Sequence, residues 1–189
     1  IKERGFKNNQ ILLSGSPRHD PFFKRSLKSV GPTKIILITP HPITNLSGIA
    51  DTNLYLRLEN LIKNLCLIIK KIPNTKIIVK LHPSQDEYTH EIINLLHKID
   101  STIKIYQLDP IIDLIQSCDL LVNISPESYD TSTVIMEGLI MNKPVINIVQ
   151  DDYFYQFPFV EENAIVSISD KSNLEKSITD LLFNENLKL

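Results

Sequence analysis

The 189-residue sequence has few of the features that mark metal, redox or dinucleotide chemistry. Its two cysteines, Cys66 and Cys118, lie in apolar stretches without the paired spacing of a zinc site or redox motif, which predicts buried thiols in a reducing compartment. The sequence contains no Gly-rich phosphate loop, and its His, Cys and carboxylate residues lack metal-ligand spacing. We therefore expect no metal, no cofactor and no hydride chemistry.

Charge and hydropathy narrow the choice of partners further. The net charge is −2 and the pI is about 6.2, with lysines scattered among acids, so we expect no nucleic-acid partner. No apolar run approaches the ~20 residues of a membrane span, and residues 1–5 lack the apolar core of a signal peptide. We expect a cytoplasmic protein without a transmembrane segment, whose contact with the inner face of the membrane would run through a partner. The absence of an initiator methionine suggests a piece of something longer.

Strand-like and helical patterns alternate along the chain. Because each strand is a continuous apolar run, the pattern predicts an α/β, Rossmann-like three-layer domain, with a mostly parallel sheet covered by helices on both faces. At ~150 residues per domain, residues 1–189 should form a single domain. The predicted strands are residues 11–14, 34–39, 76–81, 102–106, 119–124, 145–149 and 164–168. The predicted helices start near residue 20 or span residues 51–71, 86–98, 111–117, 131–141 and 171–183.

A run of hydroxyl residues opens the helix predicted at 131–141. Ligands of an open parallel sheet bind beyond the carboxyl ends of its strands, where this helix would start. One hydroxyl could simply cap the helix, a contribution of ~1 kcal/mol. The run Thr131-Ser132-Thr133 exceeds what a cap needs. Since a helix start carries partial positive charge, these residues indicate a phosphate site.

The same helix carries Glu137, one turn past Thr133. Glu137 is either a carboxylate at the surface or sheet edge, or a bidentate acceptor for the two ribose hydroxyls of a nucleotide. Asn142 stands where a left-handed residue would end the helix, and Pro144 stops it before the next strand.

Histidines follow several predicted strands. His82 precedes Pro83 at a strand end, where it is either a loop-packing residue or a hydrogen-bond donor to a diphosphate. His41 and His19 occupy similar settings with weaker cases. His90 and His97 lie on a predicted helix and should be surface residues.

These motifs together resemble the carboxyl-terminal, donor-nucleotide half of a GT-B glycosyltransferase. Gly15-Ser16-Pro17-Arg18-His19-Asp20 resembles the segment that enters the second Rossmann-like domain of CDP-glycerol glycerophosphotransferases and capsular polysaccharide transferases. Lys80-Leu81-His82-Pro83 is similar to their HP motif, and residues 132–144 are similar to their serine-then-glutamate helix. The spacing from Glu137 to Pro144 also resembles that of UDP-GlcNAc 2-epimerases. The resemblance covers nearly the whole chain.

The resemblance implies a role for each matching residue. The phosphates of the donor would be bound by His82 and by the hydroxyls of Ser132 and Thr133, and the ribose by Glu137. Apart from the resemblance, Arg18 and Thr131 are further candidates for the phosphates, and Tyr106 and Leu108, in the loop expected to select the base, are candidates for the base. Two positions depart from the family pattern: Asn142 replaces a glycine, and the three hydroxyls replace a serine pair, which leaves the phosphate contact open by one residue.

The implied function is the binding of a nucleotide-sugar or CDP-alditol donor in cell-surface polysaccharide synthesis. The catalytic base would come from an amino-terminal acceptor domain or a partner chain, so no catalytic residue is expected in this chain, and it should not turn the donor over alone. Two alternatives remain. One is a fragment of a non-hydrolysing UDP-sugar 2-epimerase, although residues 128–131 are less acidic and less glycine-rich than that family's stretch. The other is a non-catalytic Rossmann-like interaction module.

Overall fold

The protein is represented by a computed structural model that describes residues 15–24, 31–41, 52–84, 89–125, 132–150, 157–169 and 173–184. The predicted strand at residues 11–14 lies outside the described residues. That residues 1–189 form one domain stays a prediction.

The described strands form one six-stranded, all-parallel sheet. Its strands are β1 (Lys34–Pro40), β2 (Thr75–Lys80), β3 (Lys104–Tyr106), β4 (Leu120–Ser125), β5 (Val145–Val149) and β6 (Val166–Ser169). Their order, β3-β2-β1-β4-β5-β6, is that of dinucleotide-binding Rossmann domains. The chain reverses direction across the sheet between β1 and β4, which places a ligand crevice at the carboxyl ends of these two strands.

Helices cover both faces of the sheet. They are α1 (Asp20–Phe23), α2 (Thr52–Lys71), α3 (Thr89–Ile99), α4 (Ile111–Ser117), α5 (Thr133–Ile140), α6 (Pro158–Glu161) and α7 (Leu174–Phe183), with a 3-10 turn at Pro17–His19. One core lies between the sheet and α2, α3 and α7, and the other between the sheet and α1, α4 and α5. Within β4, Leu120 and Val122 face the first core and Leu121 the second, since side chains alternate along a strand. The predicted α/β fold is confirmed.

Two observed strands, β3 and β6, begin two residues later than the sequence predicts. β3 begins at Lys104, because the Asp100 side chain accepts hydrogen bonds from the Thr102 backbone N–H at 2.9 Å and from its hydroxyl at 2.7 Å. These bonds hold Thr102 in a turn and lower the pKa of Asp100 to about 2. β6 begins at Val166, because the preceding turn contains Asn163 with φ 56°.

Helix α5 ends as its sequence predicts. Asn142 has φ 53°, the Lys143 N–H donates to Gly138 O at 3.0 Å, and the Asn142 N–H donates to Leu139 O at 2.9 Å. These two bonds form a Schellman motif in which asparagine takes the left-handed position. The predicted role of Asn142 is therefore confirmed.

Gly138 lets α5 lie directly on the sheet. A Cβ built on it would lie 2.7 Å from Leu121 Cδ2 and 3.1 Å from Val145 Cγ2. Both neighbours are buried, so neither has free space into which to move. The close approach fixes the position of Glu137, the preceding residue.

The two cysteines and the two α3 histidines lie in the environments that the sequence predicts. Cys66 and Cys118 are free and buried, and burial raises the pKa of each thiol to about 12. His90 and His97 are exposed on α3. Among the described helices, none is long and apolar enough to cross a membrane.

Replacing Gly138 with alanine should lower the free energy of unfolding by about 1–3 kcal/mol, because the added methyl overpacks the interface between α5 and the sheet. Urea denaturation monitored by circular dichroism measures the change. Gly31→Ala is the control: a Cβ there meets nothing within 4 Å, so its effect should stay within about 0.5 kcal/mol. Equal stability of both variants would show that α5 does not depend on this close approach.

Candidate donor-binding site

A cavity of about 360 Å³ lies at the carboxyl edge of the sheet. It is lined by the ends of β1 and β2, the loop after β3, the start of α5 and one residue from the 3-10 turn: residues 18, 39–41, 80–83, 108–111, 132–134 and 137. Its volume falls within the range of ~300–1,000 Å³ of small-molecule sites. His82 and the start of α5 thus line one cavity.

Glu137 is the most unusual group in this wall. The residue is only 2% exposed, and its Oε1 accepts a hydrogen bond from Arg18 Nη2 at 3.3 Å. The other oxygen, Oε2, is buried and accepts no hydrogen bond within the described structure. A buried carboxylate oxygen without a donor is costly, which marks Glu137 as a candidate ligand-binding residue.

Burial and neighbouring cations act on Glu137 in opposite directions. Burial raises the pKa of the Glu137 carboxyl above its ordinary value, while the Arg18 guanidinium and the nearby His19 oppose that rise. The Arg18 side chain is 62% exposed, so its guanidinium stays in contact with solvent while it pairs with the buried carboxylate.

Arg18 also binds the first residue of α5. Its Nη2 donates to Thr133 Oγ1 at 2.9 Å, in addition to the bond with Glu137. The guanidinium therefore lies beside the helix start, where a phosphate would carry the complementary charge. The structure brings Arg18 to Thr133 and Glu137, which lie 115 and 119 residues further along the chain.

The start of α5 keeps hydrogen-bonding capacity. Ser132 is the N-cap residue, but its hydroxyl makes no capping hydrogen bond. The predicted residue Thr131 lies outside the described residues.

Two histidines also line the cavity. The ring centroids of His41 and His82 are 6.0 Å apart, and both residues line the cavity. The Ser84 N–H donates to His82 Nδ1 at 3.2 Å, which orients the ring from within its own turn. The sequence supports a binding role less strongly for His41 than for His82, but both residues line the cavity.

The two predicted base-binding residues differ in whether they line the cavity. Leu108 is 82% exposed and lines the cavity. Tyr106 is half-buried against the core beside α4 and is not among the lining residues of the described chain. Both assignments stay predictions, with Leu108 alone placed to meet a ligand in this cavity.

A row of polar side chains beneath the site was missed at the sequence level. The Thr39 hydroxyl donates to Asn123 Oδ1 at 3.2 Å, and Asn123 Nδ2 donates to Asn147 Oδ1 at 2.8 Å and to Ser125 Oγ at 2.9 Å. These residues are buried and join β1, β4 and β5 across the sheet. Asparagines within otherwise apolar strands were the available signal, since a buried amide needs partners.

A second cavity, of about 780 Å³, lies at the amino edge between α5, α6 and α7. Its lining is mainly apolar and includes two carboxylates, Glu162 and Asp180, and one lysine, Lys143. It is therefore less suited to an anion than the first cavity. Within the described chain, no cluster of three or more His, Cys, Asp or Glu residues could hold a metal.

Solved structures with the same fold include enzymes of nucleotide-sugar chemistry. A glycosyltransferase from Rickettsia africae matches with a TM-score of 0.58 and 20% identity over 84% of this chain and 40% of its own. A protein from Listeria monocytogenes, assigned as a UDP-N-acetylglucosamine 2-epimerase, matches with a TM-score of 0.58 and 19% identity over 92% of this chain and 40% of its own. The spinosyn rhamnosyltransferase SpnG in complex with thymidine diphosphate matches with a TM-score of 0.55 and 14% identity over 87% of this chain and 42% of its own.

No protein-family model and no curated protein matches the sequence. This chain spans about 40% of the length of the first two solved proteins. At these identities the likeness concerns the fold, and the resemblance predicted from the motifs is confirmed at that level. The chain has the fold of a Rossmann-like part of glycosyltransferases and 2-epimerases.

Replacing Glu137 with glutamine should raise the free energy of unfolding at pH 7. The raised pKa means that the folded chain binds this proton more tightly than the unfolded chain. Wild-type stability therefore falls as pH rises from the ordinary glutamate pKa of ~4.3 through the raised value. The glutamine variant lacks this loss, so its advantage should be present at pH 7 and disappear below pH ~4.

Urea denaturation of both proteins at pH 4 and pH 7 measures this difference. Met136→Gln, on the exposed side of the same helix, is the control and should show no such pH dependence. A glutamine variant less stable than the wild type at pH 7 would show that the pairing with Arg18 outweighs the cost of burial.

Proposed function

We propose that this chain is the donor-binding domain of a GT-B glycosyltransferase. Its donor is a nucleotide-sugar or CDP-alditol used in cell-surface polysaccharide synthesis, and turnover requires an acceptor domain or partner chain. The observation that carries the proposal is the buried Glu137 carboxylate on α5, in the same cavity as His82, with one oxygen that no described residue hydrogen-bonds.

Glu137 suits the ribose of the donor. Its unpartnered Oε2 and the oxygen bound by Arg18 can accept two hydrogen bonds from neighbouring hydroxyls. The ribose hydroxyls would then donate hydrogen bonds to the buried carboxylate, and these bonds would offset part of the free-energy cost of burying it.

The phosphates of the donor would lie between α5 and His82. The backbone N–H groups at the helix start and the Arg18 guanidinium bring partial and full positive charge to the cavity, and the His82 ring lines it as well. In a transfer reaction negative charge grows on the leaving nucleoside phosphate. Hydrogen-bond donors and positive charges that are already in position around the phosphates stabilise the leaving group. This stabilisation is the part of catalysis that the chain would contribute.

We do not assign activation of the acceptor to this chain. The solved proteins of the same fold are more than twice as long as the matched part, which leaves room for a second domain in such enzymes. We infer that a base for the acceptor hydroxyl comes from that domain or a partner chain. The bound donor is a substrate, and no further cofactor is proposed.

A second candidate is a fragment of a non-hydrolysing UDP-sugar 2-epimerase, which the fold likeness to the Listeria protein favours. Calorimetric titration with UDP, CDP, CMP and GDP separates the two. Preferred binding of CDP, CMP or GDP contradicts the epimerase alternative, because that reaction uses a UDP-sugar. Failure of all four to bind at millimolar concentration contradicts both candidates and leaves an interaction module.

Replacing Glu137 with glutamine should weaken binding of the preferred nucleotide about 10-fold to 100-fold. Hydrogen bonds to a charged group contribute about 1.5–3 kcal/mol, and 1.4 kcal/mol corresponds to a factor of ten in affinity. The 2′-deoxy analogue should lose a similar factor on the wild type and little on the variant. Calorimetry measures all four affinities.

Met136→Gln again serves as the control and should bind like the wild type. Equal discrimination against the deoxy analogue by wild type and Glu137→Gln would show that Glu137 does not contact the ribose. The stability of each variant is measured in the same buffer, so that unfolding is not mistaken for lost affinity.

A further inference from the structure

Lys80, the last residue of β2, is a buried cation to which neither the sequence motifs nor the fold likeness gives a function. The residue is 6% exposed. Its Nζ donates hydrogen bonds to Leu81 O at 2.9 Å and to Gln107 O at 2.6 Å. An ammonium group has three N–H donors, so these two carbonyls leave one donor for another acceptor.

Lys80 has no carboxylate in direct contact within the described chain; the ion pairs there join other residues. Asp109 is the acidic residue close enough to act on its charge, and it lies exposed on the cavity rim. Burial lowers the pKa of the Lys80 ammonium and Asp109 opposes that effect. A buried cation without a bound counter-ion is unfavourable, and an anionic ligand would relieve this cost.

The position of Lys80 identifies where such an anion would bind. Lys80 lines the cavity together with Arg18, His82 and Ser132. Its carbonyl partner Gln107 donates through Nε2 to His82 O at 3.3 Å. The ammonium therefore lies between the turn that carries His82 and the loop that follows β3.

Lys143 provides an internal comparison. It is 8% exposed, and its Nζ also donates to two backbone carbonyls, Gln116 O at 3.0 Å and Cys118 O at 2.7 Å. It precedes β5 and therefore lies at the amino edge, opposite the proposed site. The two lysines share burial and bonding pattern and differ in which end of the sheet they occupy.

We propose that Lys80 is a donor-binding residue whose ammonium group serves as the counter-ion of a phosphate of the bound nucleotide. The proposal rests on the proposed function, because it assumes that the cavity receives a nucleotide. It adds to that function a specific phosphate contact from the end of β2, in the cavity that the start of α5 also lines.

Calorimetric titration of the wild type, Lys80→Gln and Lys143→Gln tests the proposal, with UDP and uridine as the probes, or CDP and cytidine if the wild type prefers them. Lys80→Gln should weaken the diphosphate at least about tenfold and change the nucleoside less than twofold. Lys143→Gln should lower the melting temperature and leave both affinities within twofold.

Equal losses for nucleoside and diphosphate would overturn the proposal, because they would show that Lys80 only shapes the loop after β3. Unchanged diphosphate affinity would overturn it as well. If the wild type binds no nucleotide, the proposed function fails; if it binds and Lys80→Gln shows no phosphate-selective loss, this inference alone fails.

A measurement on the wild type covers the case in which Lys80→Gln does not fold. With ¹⁵N-labelled lysine side chains, added inorganic pyrophosphate should shift the Nζ resonance of Lys80 and leave that of Lys143 in place, with Lys80→Arg used for assignment. An unshifted Lys80 resonance at saturating pyrophosphate would contradict the proposal.

Discussion

The hydrogen bonds from Arg18 to Glu137 and Thr133 are the interaction on which the site depends. They tie the 3-10 turn at Pro17–His19 to helix α5 and set a positive charge against a carboxyl group whose pKa burial raises. Because Glu137 keeps one oxygen without a partner in the described structure, the contact leaves the carboxylate ready to accept further hydrogen bonds.

The packing of α5 on the sheet positions the contact of Arg18 with Glu137 and Thr133. Parallel strands bring the ends of β1 and β2 to one edge, where His41, Lys80 and His82 line the same cavity as the helix start. Gly138 lets α5 approach Leu121 and Val145, so that Glu137 is buried rather than exposed. The same features that pack the domain therefore also assemble basic side chains around one cavity.

Local patterns were enough to predict most of the fold. The apolar runs of β1, β4 and β5 and the Asn142 helix end depend on neighbours in the sequence, and the structure agrees with them. The pairing of Arg18 with Glu137 could not be predicted, because 119 residues separate the two. The burial of Lys80 was missed for the same reason: its carbonyl partner Gln107 becomes a neighbour only when β2 and β3 pair.

A crystal structure of the chain with its preferred nucleoside diphosphate would test the central claim most directly. The account predicts both ribose hydroxyls within about 3 Å of the Glu137 carboxylate, and the phosphates between the start of α5 and His82. A nucleotide bound elsewhere, or one whose ribose does not touch Glu137 while Arg18 keeps its present contacts, would contradict it.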